Sequence, residues 1–147
     1  MGIAVLILAV LALEDPAALE DPPKDVIDFF RSVAATLADA DRDVNVRGEL
    51  RRPRRATEFL DHFDKSMPGY AEFSGQIEDM VGAGEVAATI DFVNTEGNDR
   101  KMTLDLDWLL ECEGQTPKRA VIKCTIEKRG KKWKITSIGP IDFFKKE

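Results

Sequence analysis

Residues Thr57 to Gly84, TEFLDHFDKSMPGYAEFSGQIEDMVGAG, carry two apolar stripes joined at a Pro68-Gly69 corner. Two such stripes in succession can be buried only against a shared third surface. Phe59, Leu60 and Phe63 fall on one helical face, with Thr57 placed to cap its start and Met67 just beyond its end. Past the corner, Tyr70, Phe73, Ile77, Met80 and Val81 recur at spacings of three and four. A second amphipathic helix therefore runs to Gly82, and Gly82 and Gly84 stop it.

The shared surface follows directly, because beyond Gly84 the period changes to two. Val86, Ala88, Ile90 and Phe92 share one strand face, and Thr95 to Asp99 reads as a turn. Met102, Leu104, Leu106, Trp108, Leu110 and Cys112 then alternate with Lys101, Thr103, Asp105, Asp107, Leu109 and Glu111. A one-residue slip would expose this whole apolar set, so Asp105 and Asp107 must face outward. A loop from Gly114 to Pro117 leads to a third strand with Ile122, Cys124 and Ile126 inward. After the Arg129-Gly130 turn, Trp133, Ile135 and Ile138 mark a fourth, and Phe143 and Phe144 close the chain.

Upstream, Asp25 can cap a first helix whose apolar positions are Val26, Phe29, Phe30, Val33 and Leu37 and which ends near Ala40. Periodicity is then lost over residues 41–56; from Arg42 to Arg55 the six arginines Arg42, Arg47, Arg51, Arg52, Arg54 and Arg55 stand against only Asp43 and Glu49, a surplus of about +4. This segment reads as an Arg-rich surface loop. Residues 14–23 belong to LEDPAALEDPP, which repeats Leu-Glu-Asp-Pro and is too acidic and proline-rich to form a core, so they read as a tether. Residues 1–13 include the unbroken apolar run Ile3 to Leu13, too short to span a bilayer comfortably but suited to the apolar region of an export signal. The expected organisation is a signal-like segment over 1–13, a tether over 14–23, and one domain over 24–147. The expected location is exported, periplasmic or extracellular, with membrane contact only through the N-terminal segment, whether cleaved or kept as a tether.

The fold class is α+β, with three N-terminal helices packed on one face of a curved four-stranded antiparallel sheet. With VIDFFRSVAATLADAD as the first helix, EFLDHFDKSMPGY as the second and GKKWKITSIGPIDFF as the ending, residues 24 to 147 resemble the nuclear transport factor two-like, or SnoaL-like, superfamily. The resemblance implies a cone with an internal pocket, lined here by Phe30, Phe63, Tyr70, Phe73, Leu104, Leu106 and Trp108. It also implies homodimerisation through the open sheet face. The Arg-rich segment is longer than the usual connection between the first two helices of such domains.

Several enzymes of that superfamily move protons with Asp, His or Tyr inside the cone, which requires an ionisable group in a dry site. His62, the only histidine, and Tyr70 are the candidates for such a role. A boundary histidine on a helix is the plainer reading of His62. No nucleophile elbow, phosphate-binding glycine loop or dinucleotide fingerprint is present, and no cofactor is expected. One histidine and two cysteines do not make a zinc set. A hairpin loop centred near Gln115 would set Cys124 opposite Asp107 or Trp108, about 13 Å along the strands from Cys112, so the thiols should stay free and buried. A net charge of -6 disfavours nucleic acid as the main partner. Arg51, Arg52, Arg54 and Arg55 are nonetheless a candidate surface for an anionic partner, although they lack interleaved aromatics.

The leading expectation is a non-catalytic exported domain that binds a small apolar ligand or a protein partner. The alternative is a cofactor-independent isomerase, dehydratase or hydrolase using His62 and Tyr70.

Overall fold

The computed structural model describes residues 18–19, 22–38 and 54–145. The apolar N-terminal run, most of the tether, Arg51 and Arg52 lie outside these residues. The described elements are β1 (Ala18–Leu19), α1 (Lys24–Ala38), α2 (Arg54–Leu60), α3 (Tyr70–Gly82), β2 (Val86–Gly97), β3 (Lys101–Cys112), β4 (Lys118–Arg129), β5 (Lys132–Gly139) and a closing 3-10 turn (Ile141–Phe144). The five strands lie in sequence order, each antiparallel to the next. β1 is the addition to the expected four. Its two residues sit in the acidic tether and pair with Thr95 and Glu96, taking up part of the edge of β2.

The alternation in β3 holds as the pattern requires. Met102, Leu104, Leu106, Trp108 and Leu110 are buried under the helices. Asp107 turns outward and pairs with Arg119 across the sheet at 2.6 Å. Two irregularities shift the phase elsewhere. A bulge between Phe92 and Asn94 leaves Val93 59% exposed and brings Thr95 into the interior. β2 consequently continues to Gly97, and the turn expected at Thr95 falls instead at Asn98, whose Oδ1 accepts from the backbone N–H groups of Arg100 and Lys101. A second shift opposite Thr125 and Ile126 lets both Ile135 and Ile138 face the core despite their odd spacing.

The helices differ from expectation mainly at their starts. Asp25 lies inside the first turn of α1, where the backbone N–H groups of Val26 and Ile27 bond to the carbonyl of Pro23. Its carboxylate is therefore available to a distant partner. α2 begins at Arg54, so Thr57 sits within the helix and does not cap it. After Leu60 the chain turns, and Phe63 makes a parallel bridge to Ile135. The N–H of Ile135 donates to the carbonyl of His62 and the N–H of Asp64 to that of Ile135, both at 2.8 Å. Phe63 thus reaches the core through a strand-like contact on the free edge of β5. The Pro68-Gly69 corner stands as read, with Gly69 at φ 75° capping α3.

A chain of aromatic rings ties the layers together. Phe59 meets Phe63 at 5.1 Å between centroids, Phe63 meets Phe73 at 4.8 Å, and Phe73 meets Phe144 edge-on at 5.2 Å. Phe144 in turn meets Trp108 edge-on at 5.3 Å. Edge-on and tilted contacts suit the ring quadrupoles and add about 0.5–1.5 kcal/mol per pair beyond area burial. On the other flank Phe30 of α1 packs edge-on to Phe92 of β2.

Arg55 departs furthest from the surface role expected of the Arg-rich segment. It is only 4% exposed. Its guanidinium donates to the carbonyl of Val81 at 2.9 Å, of Gly84 at 3.2 Å and of Leu37 at 3.4 Å. Those carbonyls belong to the C-terminal ends of α3 and α1, where orphan acceptors and the negative end of the helix dipole favour a cation. Arg55 joins three helices, and with them the start of α2 becomes part of the folded body.

Candidate functional site

The helical period of α1 puts Asp25, Asp28, Phe29 and Ser32 along one half-exposed face. The exit of α2 brings Asp61 and His62 beside it, and the β4–β5 hairpin adds Lys131, Lys132, Trp133 and Lys134. Together they line a cleft of about 600 Å³.

Trp133 fixes the hairpin to the helix. Its indole N–H donates to Asp25 Oδ2 at 2.9 Å, linking residues 108 apart in sequence. Lys128 Nζ lies 3.4 Å from the same carboxylate oxygen and 5.2 Å from the centre of the Trp133 ring. The indole hydrogen bond and then Lys128 hold the Asp25 carboxyl below its ordinary range, although burial works the other way.

His62 is the imidazole of the cleft. Its Nδ1 is 3.2 Å from the carbonyl oxygen of Phe59, and its Nε2 is 3.4 Å from Ser32 Oγ. A carbonyl can only accept, so Nδ1 carries the proton and Nε2 presents a lone pair to Ser32 and the cleft. The ring stands edge-on to Phe29 at 5.6 Å. Burial lowers the imidazole pKa below its ordinary value of 6.5, which keeps it neutral at pH 7.

The cleft is lined by three carboxylates, Asp25, Asp28 and Asp61, and three lysines, Lys131, Lys132 and Lys134. Asp25 is paired with Lys128 and Asp28 with Lys24 at 2.9 Å. Lys134 Nζ donates to the main-chain oxygen of Asp61. Arg129, at the end of the same hairpin, is taken up by Asp64 and Glu127. Lys131 and Lys132 have no ion-pair or hydrogen-bond partner among the described residues, so the turn end of the cleft is cationic in a chain of net charge -6.

No known family profile matches this chain, and no characterised protein matches it in sequence. Solved structures do. The structure of Bdellovibrio bacteriovorus Bd1075 aligns with a TM-score of 0.61 at 11% identity over 79% of this chain, which spans only 38% of that protein's length. A chain whose designation contains NTF2, for nuclear transport factor two, aligns at 0.51 with 14% identity over 78% of this chain and 97% of its own. A protein of unknown function with a cystatin-like fold from Nostoc punctiforme aligns at 0.51 with 12% identity over 78% of this chain and 85% of its own. The chain has the nuclear transport factor two-like, cystatin-like cone fold. At these identities the likeness establishes the fold alone.

Within the cone, the residues expected to line an internal pocket are core. Phe73, Leu104, Leu106 and Trp108 have no exposed surface, and Phe30 and Phe63 almost none. Ring contacts fill that volume, because Phe144 returns from the C-terminus to wedge between Phe73 and Trp108. Phe30 alone among these six also borders a surface groove, one of about 670 Å³ between α1 and β2. Tyr70 borders a shallow depression of about 210 Å³ with Thr57, Asp61 and Glu78. Burial first, and then Asp61 and Glu78, push its phenol pKa up.

His62 and Tyr70 therefore line different hollows, with Asp61 at the border of both. Arg55 is excluded as a surface-binding residue by its burial, Arg54 opens α2, and Arg51 and Arg52 fall outside the described residues. Among the described residues no group of three His, Cys, Asp or Glu side chains is placed to hold a metal ion.

Asp25, Phe29, Ser32 and the hairpin lysines were not singled out from the sequence as site residues. The available signal was the i, i+4, i+7 spacing of Asp25, Phe29 and Ser32 on an otherwise amphipathic helix. What faces that stripe depends on a hairpin a hundred residues away.

Proposed function

We propose that this chain is a ligand-binding domain and that its binding site is the cleft between α1, the exit of α2 and the β4–β5 hairpin. The observation that carries the reading is the aromatic wall of Phe29, His62 and Trp133 in a hollow of about 600 Å³. That size is that of small-molecule sites, and an aromatic surface set among fixed polar and charged groups supplies both contact area and orientation. Export, read from Ile3 to Leu13, is part of the same proposal, as is association through the outward sheet face, which carries the exposed Val93 and Val121.

The test is native mass spectrometry of gently purified protein against the same sample denatured, repeated on Phe29→Ala. An additional mass that is lost on denaturation and absent from a folded Phe29→Ala supports the cleft. The same additional mass retained by Phe29→Ala places the ligand elsewhere and sinks the reading.

A second reading, catalysis, is favoured by one feature: the neutral His62 with its Nε2 lone pair toward the cleft, the state a general base requires. Here His62 would act with Ser32 nearby and without Tyr70. A turnover that survives His62→Gln unchanged would remove it.

A further inference from the structure

We infer that the cleft takes an elongated, flat organic anion: an acid group held by Lys131 and Lys132, an aromatic body against Phe29 and Trp133, and a hydrogen-bond donor directed at Nε2 of His62. The inference rests on the reading of this cleft as a binding site and adds the chemistry of its occupant.

Three features of the cleft set that chemistry. First, its unpaired cations are at one end. Lys131 lies in the hairpin turn and Lys132 opens β5, and among the described residues neither side chain has an ion-pair or hydrogen-bond partner, whereas Asp25 and Asp28 are each held by a lysine of the protein itself. A carboxylate or sulfonate entering there gains charge-assisted hydrogen bonds without displacing an existing pair. Second, the middle is aromatic. Trp133, locked by its bond to Asp25 and only 6% exposed, offers a rim, and the half-buried Phe29, braced edge-on against both Phe30 and His62, offers the open ring, so the wall is preorganised for a planar body.

Third, the far end offers an acceptor, and the one ammonium beside it, that of Lys134, already donates to the main-chain oxygen of Asp61. His62 commits its only N–H to Phe59, leaving Nε2 as an acceptor that would repel a second carboxylate and favour a hydroxyl or amine. The separation of the two ends follows from the strand. Ile135 is bonded to the carbonyl of His62, and Lys132 lies three residues earlier, roughly 10 Å along β5. A hydroxyaryl acid with its two groups at opposite ends of a fused ring system has that length. A short aliphatic acid does not.

The probe is 6-hydroxy-2-naphthoate, compared with its neutral amide 6-hydroxy-2-naphthamide and with 2-naphthoate, which lacks the hydroxyl. Binding is measured by calorimetry at two salt concentrations, and its place by the NMR signals of the Trp133 indole N–H and the His62 ring. The hydroxynaphthoate is expected to shift both signals and to bind about tenfold or more tightly than the amide. Its affinity should fall with salt. Lys131→Gln with Lys132→Gln should remove that advantage and most of the salt dependence while weakening the amide far less than the acid. Omitting the hydroxyl should cost severalfold and reduce the His62 shift.

Equal binding of acid and amide at signals that do move would overturn the anion class and leave the cleft reading standing. An acid advantage that persists in the double lysine variant would overturn the assignment of the head group. Failure of all three compounds to move either signal overturns the inference, and the native mass comparison with Phe29→Ala then decides the cleft reading separately.

Discussion

Arg55 carries more of the architecture than any other charged residue described. Methionine at this position would fill much the same volume but leave the carbonyls of Leu37, Val81 and Gly84 without their guanidinium donor. Unsatisfied buried acceptors cost about 1–3 kcal/mol each before relaxation, so Arg55→Met is expected to lose about 2–4 kcal/mol in urea denaturation. Arg55→Lys should recover only part, since an ammonium cannot span the three acceptors with a planar fork. His62 makes a prediction about pH. Its folded pKa lies below its ordinary value of 6.5 because burial disfavours the charged ring, with Lys134 adding to the shift and Asp61 and the Phe59 carbonyl opposing it. The unfolded chain then binds a proton that the folded chain refuses. Stability is fully present above about pH 6.5 and declines as the pH falls through the folded pKa. Subtracting the melting-temperature profile of His62→Gln from that of the wild type should isolate this loss above pH 5, before the carboxylates titrate. A flat difference would show that the ring is not held neutral.

At the level of elements, the contact that matters most is between α1 and the β4–β5 hairpin. Asp25→Ala removes the acceptor of the Trp133 indole and the partner of Lys128. Hydrogen exchange in the first turns of α1 should quicken and the Trp133 indole proton should move, while β3 stays protected. Uniform loss of protection across the sheet would mean that this bond supports the whole fold and not one seam. The corner between α2 and α3 offers a paired test. Gly69 has φ +75°, and a Cβ there would sit 2.6 Å from Ile141 Cδ1, so Gly69→Ala should cost more than about 1 kcal/mol. Gly75, inside α3 with nothing within 4 Å of its notional Cβ, should gain roughly 0.5–1 kcal/mol on the same change. Chemical denaturation of both variants checks the opposite signs.

Over the whole molecule, the two thiols report on register. Cys124 stands opposite Leu104, eight positions along β3 from Cys112, roughly 26 Å at 3.3 Å per residue. This is further than the sequence-based register placed them, because the hairpin loop centres on Gly114 and not near Gln115. The conclusion is unchanged, and no disulfide joins them. Cys112 is half-buried, whereas Cys124 is enclosed and burial pushes its thiol pKa up. A thiol reagent should label Cys112 in the native protein and Cys124 only on unfolding, with no mass gain on reduction. Simultaneous labelling of both would contradict the burial of β4.

Periodicity by itself determined the order of helices and strands, the inward set of β3, and the corner at Pro68-Gly69. Each of these follows from local chain geometry, in which a side chain's direction is fixed by its place in a 3.6- or two-residue repeat. The bulge that turns Thr95 inward was not legible, because an extra residue in one strand is compensated only by its neighbour. Nor was the burial of Arg55, although it and Ala56 stand one helical turn before Phe59 and Leu60, a spacing that would have extended the buried face backward. The candidate site depended almost wholly on tertiary structure. Asp25 and Trp133 are 108 residues apart, Ser32 and His62 are 30, and the aromatic residues that looked like pocket wall were filled by Phe144. Local sequence specifies which face of an element is apolar, but which faces meet, and whether they leave a hollow or close it, is decided by packing between elements distant in the chain.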